Sequence, residues 1–222
     1  MGVNQTAPDA QTYGQVTDEA SLIEDRPASS TTQSVIQSGW DAAEKLVTVT
    51  TDYPVEYKHS DQFQLIKFID TAGPFANYRQ HFLNKKTEGR RSYVCLGEKC
   101  PLCLKLNDKP EVKRGFSIVN LSAKPFQRQM LIATPKLYKV FHAAEFSPQG
   151  PLTKNYWALS RSGVKQQTHY NFTSVKARDL SEDWGLSAEE VEAAVSSFTP
   201  FERAAIREDS YADLVDIAES LL

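Results

Sequence analysis

Three cysteines in 222 residues cannot build a disulfide framework, and no stretch approaches the ~20 consecutive apolar residues that a membrane-crossing helix needs. The opening residues, MGVNQTAPDAQTYGQV, have neither the basic start nor the apolar centre of a secretory signal. A reducing, cytoplasmic setting without a membrane partner is the expectation. P-loops and dinucleotide fingerprints are missing as well. Metal-dependent nucleases hold their ions with clustered carboxylates, yet Asp70, Asp108 and Glu111 form no recognisable motif and read as ordinary surface charge. With no catalytic constellation in evidence, the chain is expected not to be an enzyme.

What the chain does have is an uneven distribution of charge. Its net charge is −3, and its hydrophobic (41%) and charged (24%) contents are close to globular averages. Residues 61–180 nevertheless hold 20 of the 25 Lys and Arg residues against 8 acidic ones, a net of +12. Residues 1–60 carry −6 and residues 181–222 carry −9. The middle is an electrostatic footprint for a polyanion, and the end is an acidic segment.

Local patterns divide the chain further. Residues 1–35 are rich in Ser, Thr, Gln, Asp and Ala without apolar periodicity, which predicts a flexible N-terminal arm. A short helix over 39–46 and a β-branched strand over 47–51 follow, then a strand over 62–69. Pro74 in a first-turn position, with Phe75, Tyr78 and Phe82 at i, i+3 and i+7, predicts a helix carrying His81 near its end. Strands are expected over 90–96, 115–121 and 129–133, and a basic amphipathic helix over 136–146 behind Thr134 and Pro135. A hairpin should join 155–160 to 168–175. Two capped helices should close the chain, with capping-box spacings at Ser187/Glu190 and Thr199/Glu202.

All three cysteines fall within nine residues, Cys95-Leu-Gly-Glu-Lys-Cys100-Pro-Leu-Cys103, with His81 fourteen positions upstream. A structural zinc ion takes four soft or borderline ligands in a tetrahedron, and a C-x2-C turn presents two thiolates to one ion. Cys95 and His81 would complete a Cys3His set; His59, His142 and His169 are the other candidates for the fourth place. The rival reading is redox chemistry at Cys100-Pro-Leu-Cys103. A third cysteine close upstream and basic β-strands around it are the wrong context for that.

Aromatic residues alternate with positive charge around the cluster. Lys85, Lys86, Arg90, Arg91 and Tyr93 are followed by Lys113, Arg114 and Phe116, then Tyr138 and Lys139, then Tyr156, Trp157 and Arg161, then Tyr170, Phe172 and Lys176. Unpaired bases stack on aromatic faces at ~1–3 kcal/mol each while Lys and Arg follow the phosphates. In Arg91-Ser92-Tyr93-Val94, strand alternation puts Tyr93 with Arg91 and opposite Val94, which favours a basic surface for its ring. Tyr156 and Trp157 point opposite ways, so at most one of them lines a groove.

These residues together resemble the helix-destabilising, single-stranded DNA-binding proteins of tailed bacteriophages. The resemblance spans roughly residues 36–185. It rests on His81, Cys95, Cys100 and Cys103, on Gln80-His81-Phe82, and on Tyr156-Trp157-Ala-Leu-Ser-Arg161-Ser-Gly163. It implies a mainly β chain with added helices: an OB-fold-like barrel over 36–180, a zinc subdomain inserted at about 75–112, and acidic C-terminal helices or tail over 181–222. It also implies sequence-tolerant binding of single-stranded DNA in phage replication, recombination or repair within an infected bacterial cell, with self-association on DNA possible. Replication or recombination proteins would be contacted through the acidic C-terminal segment, including Asp209, Asp213, Asp216 and Glu219. Leu214, Ile217 and Leu221 at helical spacing give that segment a docked helix as an alternative. Two other functions stay open: a zinc-ribbon transcription or recombination factor reading duplex DNA, and a C-x-x-C oxidoreductase.

Overall fold

Antiparallel strands rich in β-branched and aromatic residues dominate the computed structural model, which describes residues 54–87, 89–164 and 167–222, all within the unit Thr50–Leu222. The expected arm over 1–35 and the helix and strand expected over 39–51 lie outside the described residues. The strands are β1 (Gln64–Phe68), β2 (Ala76–Thr87), β3 (Arg90–Val94), β4 (Glu111–Asn120), β5 (Gln127–Ala133), β6 (Tyr156–Ser162) and β7 (His169–Val175). The helices are α1 (Pro101–Leu106), α2 (Pro135–Glu145), α3 (Leu180–Trp184), α4 (Ala188–Ser197) and α5 (Tyr211–Ser220). No helix among the described residues is long and apolar enough to cross a membrane.

β4 is the hub of the sheet. Along one edge it pairs with β5, from Arg114 opposite Ala133 to Asn120 opposite Gln127. Along the other edge β2 and β1 lie end to end, with Tyr78 opposite Lys113 and Phe68 opposite Ile118. β3 extends the sheet beyond β2, and β6 and β7 extend it beyond β1. The sheet is open and not the closed barrel that was expected. The extended segment ahead of β1 touches both sides of the gap, but only at isolated residues. Tyr57 N donates to Met130 O at 2.9 Å, Met130 N donates to Val55 O at 2.8 Å, and Arg161 N donates to Ser60 O at 2.7 Å.

The helix expected from Pro74 is strand β2. Hydrogen bonding to β3 on one side and β4 on the other overrides the i, i+3, i+7 spacing. The three rings that suggested a helical face separate: Phe75 packs beside Phe201, Tyr78 is half-buried and Phe82 is exposed. Alternation instead buries His81 and Leu83 on one face of the strand.

Apolar residues on the two faces of the sheet form separate clusters. α2 buries Leu137 and Phe141 against Phe68, Phe116 and Trp157 on one face. Leu180 and Val191, from α3 and α4, pack with Leu65, Val119 and Tyr156 on the other. Tyr156 and Trp157 do point opposite ways, but both faces are covered, and neither ring reaches a groove. Asp70 is not surface charge: it is half-buried, and its carboxylate accepts from Ser117 N, whose hydroxyl accepts from Phe201 N. Glu111 does sit at the surface, beside Lys113.

The C-terminal segment packs onto the core. Ser187 caps α4 as expected, its hydroxyl accepting from Glu190 N. Thr199 opens no helix, because Arg128 donates to its carbonyl and hydroxyl oxygens at 2.9 and 3.3 Å. The last helix starts at Ser210, in a reciprocal capping box with Asp213. That helix, α5, buries Leu214, Ile217 and Ala218 against Leu83, Tyr93, Cys100 and Leu102. The acidic end is therefore a docked helix.

Candidate metal centre and basic clefts

Four side chains from three short segments converge beside α5. His81 comes from the buried face of β2, and Cys95 follows directly after β3, held there because its N–H donates to Arg79 O at 2.8 Å. The loop to Cys100 turns at Gly97, whose φ of +88° is strained for other residues. Pro101 then starts α1, which presents Cys103 one turn later. His81 Nε2 lies 3.4 Å from Cys100 Sγ and 3.5 Å from Cys103 Sγ, and Cys95 Sγ lies 3.7 Å from Cys103 Sγ. All four ligand atoms lie within 4.8 Å of one another, close enough to bind one metal ion. His59, His142 and His169 are not part of the group.

The surroundings fit a cation. Burial, followed by contact with Cys95 and Cys100, pushes the Cys103 thiol up to about 12. For Cys100, burial acts upward but is outweighed by hydrogen bonds from the backbone at Leu96, Cys103 and Leu102, so its thiol is held below the ordinary range. Crowded thiols that resist joint deprotonation gain most from a bound cation. His81 is fully buried, and its Nδ1 lies 2.7 Å from Asp108 Oδ2. A carboxylate there holds the proton on Nδ1 and leaves the Nε2 lone pair for a metal. Asp108 is therefore not the ordinary surface charge expected from the sequence. Nothing in the spacing signals its role, since it lies 27 positions after His81 and is brought back by the left-handed turn at Asn107 that ends α1.

The residues expected on DNA are scattered. The Tyr93 ring is buried beneath Arg90 and α5, which corrects its expected place on a basic surface. Phe116, Tyr156 and Trp157 are core, and Phe172 is half-buried, stacked on Trp157 at 4.3 Å. Arg90 pairs with buried Asp209, and Lys113 with Glu111. Arg91, Lys139, Arg161 and Lys176 are exposed. The side chains of Lys85 and Lys86 lie outside the described part of the structure. In the acidic segment, Asp209 is held by Arg90 and Arg207, Asp213 caps α5, Glu219 pairs with Lys105, and Asp216 is exposed.

Several of these residues are nevertheless brought together along α2. At its N-terminus a cleft of about 440 Å3 is lined by Glu111, Val112, Lys136, Arg161, Thr168 and Tyr170, with Glu111 paired to Lys113 and Lys136 Nζ donating to Thr168 O. His59 lies beside Tyr170, and burial, then Arg161, pushes its imidazole down to about 4, so the ring is uncharged at neutral pH. Farther along, the Arg114 guanidinium sits 3.7 Å from the centre of the Tyr138 ring. Val112, Arg114 and Phe116 share one face of β4 by its period of two, so the strand runs beside α2 from this cleft towards the helix C-terminus. Sequence reasoning missed Lys136, although it adjoins the predicted cap at Thr134-Pro135.

No family model, curated protein or solved structure matches this chain.

Proposed function

We propose that this chain is a non-catalytic protein that binds single-stranded DNA without sequence preference, of the kind used in phage replication, recombination or repair, and that it carries one structural zinc ion. The observation that carries the reading is the line of cations and rings along α2 and β4: Lys136, Arg161 and Tyr170, then Arg114 over Tyr138, with Lys139 exposed beside it. Cations at intervals follow a phosphate backbone, and half-buried rings offer faces only to bases that are unpaired. An OB-like binding mode fits an antiparallel sheet with one helix packed on its binding face.

Zinc is favoured by the donors. Three thiolates and an imidazole suit that ion, and bonds of about 2.3 Å to sulfur and 2.0–2.1 Å to nitrogen give tetrahedral edges of about 3.8 Å between sulfurs and about 3.6 Å from sulfur to nitrogen. The spacings of 3.7 Å between Cys95 and Cys103 and of 3.4 and 3.5 Å from His81 to Cys100 and Cys103 lie within about 0.2 Å of those edges. His81 Nε2 within reach of both C-x-x-C sulfurs also supports a metal site over an oxidoreductase. Acidic-segment contacts with replication or recombination proteins would use the exposed side of α5 around Asp216, because Asp209 and Glu219 are already paired within the chain.

The test is a salt titration of binding to fluorescent oligo-dT and to a matched duplex, on protein whose zinc has been assayed. We expect about one zinc per chain and a salt-sensitive preference for the single strand. Lys136→Ala and Arg161→Ala should each flatten the log–log salt slope by about 0.7. Preference for duplex would favour the zinc-ribbon reading. Absence of both zinc and DNA binding would favour thiol chemistry.

A further inference from the structure

Beyond Tyr138, α2 continues as a ladder of rings that the proposed function leaves unused. Tyr138 and His142 share one helix face, and Phe146, the residue that caps α2, follows at the same spacing. Their ring centres are 5.6 and 4.8 Å apart, tilted by 54° and 53°. Arg114 covers the first ring, but the last is 77% exposed, a high value for a phenylalanine next to the core. The ladder lines a slot of about 420 Å3 together with the turn Thr71–Pro74, and the buried rings of Phe116 and Phe141 give the slot an apolar base. Glu145, the acidic residue in the lining, has its carboxylate occupied by Leu152 N at 2.7 Å.

We propose that this slot is a nucleobase pocket, in which a base of the bound strand stacks on Phe146 and His142 while its phosphates continue along Arg114 and Lys139. The inference rests on the single-stranded DNA reading and adds a base subsite to it. Its basis is physical. The slot has an aromatic wall and an apolar base, which suit a flat heterocycle, and it opens beside the Arg114–Tyr138 pair, where the strand's negative charge is balanced. Val112 to Phe116 covers about 14 Å of strand, so the slot and the cleft at the start of α2 can be occupied by neighbouring parts of one strand.

The test compares Phe146→Ala and His142→Ala with wild type on oligo-dT and on an abasic oligomer of equal length. Both side chains are exposed, so neither variant should lose its fold. If the slot holds a base, Phe146→Ala weakens oligo-dT binding by about fivefold or more, and His142→Ala weakens it in the same direction. Abasic binding and the salt slope should then stay as in wild type. Equal losses on both oligomers would overturn the pocket, because the effect would act through phosphates or folding. Unchanged affinity on both would also overturn it while leaving the DNA-binding function intact. Failure of the wild type to bind oligo-dT at all would overturn the function itself, and the pocket with it.

Discussion

Replacing Asp108 tests the metal centre without touching a ligand. Its carboxylate is the hydrogen-bond partner of His81 Nδ1 at 2.7 Å, and His81 is fully buried, so Asp108→Ala leaves an imidazole N–H with no protein acceptor. Removing such supporting carboxylates typically costs about 10- to 100-fold in metal affinity, or about 1.4–2.8 kcal/mol. The Asp108 side chain is 32% exposed, so water can replace part of the lost bond. That places the expected loss at the lower end, about 10- to 30-fold. Asp108→Asn keeps a neutral acceptor, about half as strong as a charged one, and should fall between alanine and wild type. The assay is competition for zinc against a chromophoric chelator. Glu98→Gln serves as the control, because Glu98 is an exposed acid in the Cys95–Cys100 loop and its loss reports the general effect of charge. If Asp108→Ala holds zinc as tightly as wild type, or no less tightly than Glu98→Gln, the carboxylate does not orient His81 and the argument fails.

Other perturbations address the surroundings. Cys100→Ser removes a candidate ligand that is also buried in the α5 cluster, so metal content and melting temperature should fall together; normal values of both would refute the site. Leu214→Ala, at a fully buried position in the same cluster, should cost about 2–5 kcal/mol in chemical denaturation and speed zinc release. A loss near zero would mean that α5 is not docked as described. Asp70 gives a pH dependence: burial pushes its carboxyl up to about 6 despite the hydrogen bonds from Ser117. The folded state then binds more protons than the unfolded state below that value, so this residue's contribution to stability declines as pH rises from about 4 to about 6. Asp70→Asn, which can still accept from Ser117 N, should raise the melting temperature more at pH 8 than at pH 4, and an equal shift at both would contradict the burial argument.

Local chemistry was legible in the sequence, and long-range cover was not. Cys95, Cys100 and Cys103 could be read as one group because a turn of nine residues has few ways to keep them apart. His81 was the right fourth partner although its element was misread, since strand β2 brings it to the cluster as well as a helix would. Apolar spacing at 75, 78 and 82 satisfies a helix, and only pairing on both edges, invisible in one strand's sequence, decides for β structure. Tyr93 shows the limit most plainly. Alternation grouped its ring with Arg91 on a basic surface, but the ring lies beneath Arg90 and is covered by α5, anchored by an Arg90–Asp209 pair spanning 119 positions. Cation-rich surface was foreseen at Arg161 and Lys139. Arg90 and Lys113 were foreseen as well, yet acidic neighbours engage them.

The dependence of the metal subdomain on α5 bears on how the chain is made. All four candidate ligands are synthesised by residue 103, whereas the helix that covers Tyr93, Leu83 and Leu102 follows only at Tyr211–Ser220. Domains tend to form in order of synthesis, so a nascent chain can assemble the Cys and His group while its apolar flank is still open to solvent. During that interval the flank is exposed apolar surface, the kind that favours aggregation. Completing the domain requires closing a loop of more than a hundred residues, a slow non-local step compared with the hairpins of the sheet. A chain shortened before Ser210 should stall at this stage, its Cys and His group assembled but Leu83, Tyr93 and Leu102 left uncovered.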